Sequence, residues 1–301
     1  MKHHAESLRR WQDKSANQAA FVFLLPVMLV LIIFIFYPII DTFKISGYKW
    51  NGISASKQSI GFANWIELLT DNHFWVAFLN NIKIMILSIL IQIPLGTALA
   101  TFVEFGGKKT TLFKVVWFIP MLMSSVAIGF LFTYVLATNG GLISSISNLL
   151  GGPNIDLLGN PKTVLYTVIA IICWQFTPFY MVYIMAAFTN IPVEIFEASL
   201  IDGATRGQYF WRIALPLLKP ALSTGAIMSI VGSLKYFDLV YVMTGGGPGT
   251  ASELMATYMY KLTFKTFEMG YGSTVAGGMF ILISVLAVLT FKILRHYQED
   301  V

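Results

Sequence analysis

Few residues in this chain could do covalent chemistry, and their spacing decides what kind. The four histidines (His3, His4, His73, His296) are scattered, and the single cysteine, Cys173, falls inside an apolar run. Such spacing assembles neither a metal-ligand cluster nor a Ser-His-Asp arrangement, and no paired-carboxylate site stands out. The turn EFGGKKTT (104–111) has the composition of a phosphate cradle, but GxxxxGK[ST] needs Gly-Lys followed directly by Ser or Thr. Here Lys109 follows Gly107-Lys108, and no glycine stands five before Gly107. The chain therefore has no ATP-cleaving loop of that kind. TGGGPGT (244–250) carries no lysine and reads as a flexible turn or a partner contact.

The densest polar stretch is EASLIDGATRGQYFWRIALPLLKP (197–220), with five charges between two long apolar runs. Pro192 suits a first helical turn, and the acids of VEIFEASLID favour its positive end. Gly203 can take the left-handed conformation that closes a helix. Thr205 and Gln208 fit the T-x-x-Q capping box that opens another. Tyr209, Phe210, Ile213 and Ala214 share a face of that second helix, and Pro216 and Pro220 lead back into an apolar run. Helices this short are marginal alone, so they must dock. Val193, Phe196 and Leu200 (i, i+3, i+7) predict one apolar face, with Glu194, Glu197 and Asp202 off it. That face can pack under the chain's own spans or enter a groove on another protein. Burial alone does not choose.

The elements that hold this stretch are membrane spans. Of 301 residues, 56% are hydrophobic and 12% charged, with mean hydropathy +0.70, far from the roughly one-quarter charged fraction of soluble chains. Six runs approach or exceed the ~20 residues needed to cross a bilayer: 20–40, 82–103, 113–137, 163–188, 221–242 and 274–291. The segments at 1–19, 104–114, 190–220 and 292–301 hold twelve Lys or Arg in 71 residues; those at 41–73, 138–162 and 243–271 hold six in 87. Basic residues favour the cytoplasm, so both termini (1–19 and 295–301) and the 190–220 loop are expected inside. The net charge of +5 is thus a topology signal, and no nucleic-acid module is found. The first run exceeds a signal-peptide core, follows a polar lead containing Arg9, Arg10 and Lys14, and lacks a small-residue cleavage site. It is expected to remain as an anchor. Trp65, Leu68, Leu69 and Phe74 suggest an interfacial helix, with Trp65 and Trp75 at headgroup level. Lys83 can snorkel outward. Lys235 and Asp238, at i, i+3 in the fifth run, can pair on one helix face.

Glu197-Ala198-Ser199-x-x-Asp202-Gly203-Ala204, followed by Phe210, Ile213, Leu215-Pro216 and Pro220, resembles the EAA loop of ABC-importer permeases. Ser199 departs from the usual alanine and is comparably small. LLPVMLVLIIFIFYPIIDTFKIS, FANWIELLTDNHFWVAFLNN and YFDLVYVMTGGGPGTASELMATYMYKLTFKTFEMGYGSTVA are similar to the corresponding parts of carbohydrate-importer permeases, so the resemblance covers nearly the whole chain. It implies an all-α polytopic membrane protein of type I permease architecture, residues 20–294, with a cytoplasmic coupling helix. It also implies a bacterial inner-membrane location and a heterodimer in which the TGGGP-bearing chain pairs with a second homologous permease. Two partner ATPase subunits would bind ATP and Mg, this chain binding no cofactor, and an extracytoplasmic sugar-binding protein would deliver a carbohydrate. Phe196, Glu197, Ala198, Ser199, Leu200, Asp202, Gly203 and Ala204 would then form the ATPase-coupling surface, with Phe196 and Leu200 filling the partner's cleft.

Sugar sites combine aromatic faces with amides and hydroxyls. The fourth run offers Trp174, Gln175, Tyr180 and Tyr183; the fifth offers Ser229, Ser233, Tyr236, Asp238 and Tyr241. Aromatics in spans also serve as packing or interface anchors, and their spacing alone does not establish a common cavity. No intramembrane carboxylate relay of a proton-driven carrier is seen. A secondary sugar carrier, and a scaffold or receptor whose loop binds a partner, stand as the alternatives.

Overall fold

The computed structural model describes residues 21–299, with side chains described through Lys292 except at Lys108. The expected tail 1–19, with its basic residues, lies outside the described residues. Helices dominate. In chain order they are α1 (Phe21–Ile45), α2 (Ala63–Thr70), α3 (Asn72–Gly106), α4 (Thr111–Leu122), α5 (Ser125–Val135), α6 (Leu142–Leu149), α7 (Val164–Phe188), α8 (Val193–Ile201), α9 (Arg206–Leu217), α10 (Lys219–Ser233), α11 (Asp238–Met243), α12 (Met255–Tyr260) and α13 (Met269–Glu299). A two-stranded antiparallel ribbon, β1 (Tyr48–Lys49) and β2 (Gln58–Ser59), sets Tyr48 opposite Ser59.

Among the described residues four helices (α1, α3, α7, α13) are long and apolar enough to cross a membrane, or up to six spans if the bent pairs α4/α5 and α9/α10 each count as one. Four expected spans match helices in place, though α3 runs 35 residues. That is about 50 Å at 1.5 Å per residue, well beyond the ~30 Å hydrocarbon core. The other two differ from expectation. The third breaks by 95° between Leu122 and Ser125, where Met123 and Ser124 turn extended just after Pro120. The fifth stops at Ser233 and restarts at Asp238. Such breaks are tolerated at membrane depth where other protein groups satisfy the freed backbone.

The chain forms two compact units. One holds the described residues up to Leu69 together with Leu262–Gly277. Within it Asn64 donates to the Ser46 and Tyr48 carbonyls at 2.8 and 3.2 Å, and Trp65 stacks on Phe43 and donates to Ser46 Oγ. The expected interfacial helix running through to Phe74 is instead two helices. Asp71 ends the continuity by capping α3, accepting from His73 N and Phe74 N.

The other unit comprises Thr70–Lys261 and the chain from Gly278. Its centre is the α3–α7 pair, which closes tightly where a Cβ on Gly96 would sit 2.7 Å from Tyr180 Cβ, the small-residue packing favoured between helices in lipid. One apolar cluster gathers Ile84, Ile128, Val168, Ile172, Leu239 and Val240. A second gathers Ala100, Val103, Met181, Ile184, Phe188, Tyr209, Ala214 and Leu218, and so ties α9 to the ends of α3 and α7.

Candidate functional site

The loop around Gly203 is built from local signals. At the end of α8 the Ala204 N–H donates to Ser199 O (2.9 Å) and the Gly203 N–H to Leu200 O (3.0 Å). This closure demands a left-handed residue, and Gly203 supplies φ +78°. Thr205 Oγ1 accepts from Gln208 N, and Gln208 Oε1 accepts from Thr205 N at 2.8 Å, completing the capping box of α9. Tyr209 and Ala214 are buried and Phe210 and Ile213 half-buried, as the spacing predicts. Arg206 Nη1 donates to the Phe105 carbonyl at 3.2 Å. A guanidinium on the last-turn carbonyls suits a helix C-terminus and fastens α9 to the overhanging end of α3.

The face of α8 differs from the expectation. Phe196 turns inward, edge-on to Tyr209 with ring centroids 4.9 Å apart, alongside half-buried Ile195 and buried Ser199, whose hydroxyl donates to Phe196 O. Phe196 therefore packs edge-on against Tyr209 of its own chain while remaining partly exposed. The helix carries apolar residues on more than one stripe, and Tyr209 selects which stripe goes inside. The outer face presents Val193 (60% exposed), Leu200 (49%) and Ile201 (86%), interleaved with exposed Glu194, Glu197, Ala198 and Asp202. Beneath α8 a cavity of about 290 Å³ is lined by Glu104, Phe105, Phe196, Arg206 and Tyr209.

The span candidates separate into groups. Tyr180 lies beside Ser229, and Tyr236 beside Gln92 and Tyr180. Ser229 Oγ donates to Gln92 Oε1 at 3.4 Å, and Ser233 follows one turn later, buried and without a partner. Tyr183 is half-buried and stacks on Phe179. Gln175 stands at the α4/α5 break, its Nε2 donating to Ser125 Oγ (3.1 Å) and Met123 O (3.5 Å), with Oε1 buried and unpartnered. Trp174 packs edge-on to Phe132. Tyr241 belongs to a separate aromatic group with Phe237 and Tyr260. Asp238 is exposed at the start of α11 and Lys235 lies in the break before it. The break removes the shared helix face that would pair them, and no ion pair joins them.

Two groups escaped sequence reading. Asn81, Ser88 and Gln92 recur at i, i+7, i+11 on α3, so they share one face, and each has a buried polar atom without a partner. That polar stripe inside an apolar span was the available signal. The second group fastens the 244–254 loop. Asn80 donates to the carbonyls of Thr250, Ala251 and Glu253, and Asn81 accepts from Met255 N. Buried Glu253 pairs with Lys261 and accepts from Thr257. Ser252 bonds Thr244 Oγ1 and Gly247 O. TGGGPGT, read from its sequence as a flexible turn or a partner contact, is thus tied by hydrogen bonds both internally and to α3.

Broken spans, a polar stripe along α3 and a loop fastened to the start of that helix mark a polytopic membrane protein. Residues 92–297 match the family described as binding-protein-dependent transport system inner membrane component, and the chain belongs to that family of ABC-importer permease subunits. It is 31% identical over 284 residues to a probable ABC transporter permease, YurN, of Bacillus subtilis, covering 93% of this chain and 97% of that one. It is 28% identical to the trehalose/maltose transport system permease MalF of Thermococcus litoralis, covering 93% and 94%. A bacterial ABC transporter involved in import of the acidic polysaccharide alginate superposes with TM-score 0.81 at 22% identity, over 96% of this chain and 99% of that one. The fold is that of an ABC-importer permease.

Proposed function

We propose that this permease carries a carbohydrate, probed most simply as an oligosaccharide, from an extracytoplasmic binding protein into the cytoplasm, driven by ATP hydrolysed on partner subunits. The chain itself is not an enzyme; ATP and Mg belong to two ATPase subunits, and a second homologous permease completes a heterodimer. The observation that carries this reading is the outer face of α8. Val193, Leu200 and Ile201 stand exposed on a short helix whose inner face, corner and following helix are all fixed. Burying an apolar side chain of this size contributes about 1.5–3 kcal/mol, so a fitted cleft would hold this face firmly, while Glu194, Glu197 and Asp202 suit basic groups at its rim. Phe196 acts from behind, passing movement of α8 to Tyr209 and the ends of α3 and α7. ATP binding then biases two arrangements of the spans through this contact.

The saccharide class is supported by the names of the relatives and by the interior group Gln92, Tyr180, Ser229, Ser233 and Tyr236, which offers rings, an amide and hydroxyls together. Polar side chains of this kind in a span ordinarily face a bundle interior or a water-filled path. The basic bias supports a cytoplasmic side for the α8 loop and both termini. In proteoliposomes holding the assembled importer, Ile201→Asp with Leu200→Asp is expected to release the ATPase subunits and abolish ATP-driven saccharide uptake, while the chain still inserts. Uptake by this chain alone on an ion gradient would instead favour a secondary carrier.

A further inference from the structure

The unit containing β1, β2 and α2 holds a pocket of about 500 Å³ that none of the transport machinery above uses. We infer that it is an outer subsite for a neutral saccharide ring, separate from the span interior; its placement outside the membrane and its ligand class rest on the transport reading above. The volume falls within the range of small-molecule sites. Its walls combine ring faces from Trp50, Phe267 and Tyr271 with polar groups from Asn51, Glu67 and Glu268, the pairing of flat apolar surface and hydrogen-bonding groups that sugar rings require.

The pocket is built in advance. Trp50 is fixed by its indole N–H on Ser54 O (2.7 Å) and by Lys57 Nζ over its ring at 4.0 Å. The Asn51 carbonyl oxygen accepts from Ile53 N and Ser54 N, which orients its NH₂ group as a donor. The Gly270 N–H donates to Trp50 O at 3.0 Å, and a Cβ at Gly270 would collide with the Tyr48 carbonyl. So the ribbon and the start of α13 are locked together.

Phe267 marks the site most clearly. It is a bulky residue held at φ +56°, a conformation such residues avoid, and the residue is 51% exposed. Strain at a bulky exposed aromatic is found where surrounding structure holds it for a purpose. Here the following backbone is held by the Glu268 N–H on Leu262 O (2.8 Å), and the ring lines the pocket. Charge then narrows the ligand. Glu67 and Glu268 are balanced by Lys49 on the wall and Lys57 over Trp50, so the pocket holds no excess of positive charge to select a uronate, while its carboxylate and amide groups can bond sugar hydroxyls.

The assembled importer in lipid nanodiscs, without binding protein, is exposed to maltotriose, cellotriose or a mannuronate trimer, and amide exchange is followed at 48–54 and 266–271. At least one neutral trimer is expected to slow exchange there two-fold or more, the acidic trimer not at all. Glu268→Gln is expected to weaken the protecting trimer five-fold or more. Should Glu268→Gln perturb folding, the trimer-dependent change in tryptophan emission of the unaltered protein is compared with that of Trp50→Phe, which assigns the change to Trp50 among the chain's seven tryptophans; an equal change in both overturns the subsite. No protection by either neutral trimer, equal protection by the acidic one, or protection indifferent to Glu268→Gln overturns the subsite. ATP-driven uptake with binding protein is measured in parallel. Intact uptake without protection sinks only the subsite, whereas protection without ATP-driven uptake of any saccharide upholds the pocket and sinks the transport reading.

Discussion

Gly203 shows how a single residue's backbone governs a loop. A Cβ there meets nothing within 4 Å, so any cost of substitution comes from φ +78° and not from crowding. Alanine in that conformation costs about 1–2 kcal/mol; asparagine tolerates it better, and proline is locked near −65° and cannot adopt it. Saccharide-stimulated ATP turnover is therefore expected to fall in the order Gly203→Asn, Gly203→Ala, Gly203→Pro. The proline variant should lose more than ten-fold while still inserting; equal activity in all three would show that the corner does not transmit. This residue was legible in the sequence because its role is local, as were Thr205 and Gln208. Gln92 was not singled out, because its role needs Ser229 and Tyr236 from another part of the chain.

Elements were legible in kind and less so in direction. Four of the six apolar runs are single long helices and the third is the bent pair α4/α5, whereas the second bent pair, α9/α10, begins inside the expected 190–220 loop and ends at Ser233, short of the end of the expected 221–242 run. The break after Leu122 and the gap from Ser233 to Asp238 depend on what receives the freed backbone groups. Polar residues inside the fifth run (Ser233, Lys235, Asp238) were a hint of that gap. The rotation of α8 could not be read from Val193, Phe196 and Leu200, because the same nine residues support more than one apolar stripe. The fastened 244–254 loop carries a prediction at this scale. Asn80 is buried and its Nδ2 serves three carbonyls on one segment. Leaving buried carbonyls without a donor costs about 1–3 kcal/mol, so Asn80→Ala is expected to lower the melting temperature of the purified permease by several degrees. Amide exchange should rise at 244–254 first; an unchanged loop would mean that Glu253 and Lys261 hold it alone.

Across the whole molecule the open quantity is the number of crossings, since it fixes which side each loop occupies. α4 and α5 contain 12 and 11 residues, legs of roughly 18 and 16 Å. Bent by 95°, they span only about 23 Å end to end, short of the ~30 Å core. As one crossing the pair needs thinning of the bilayer or flanking residues to finish the passage; as a re-entrant pair it would return the chain to the side it left. The basic bias favours a crossing, because 104–114 is rich in lysine and 138–162 holds only Lys162. Buried Cys173 gives a quiet background for labelling with a membrane-impermeant maleimide. Ser56→Cys and Leu150→Cys are expected to label in intact spheroplasts, and Asp202→Cys only after permeabilisation. Labelling of Leu150→Cys from the inner side alone would make α4/α5 re-entrant, reverse every later loop and put the α8 face beyond the reach of any cytoplasmic ATPase.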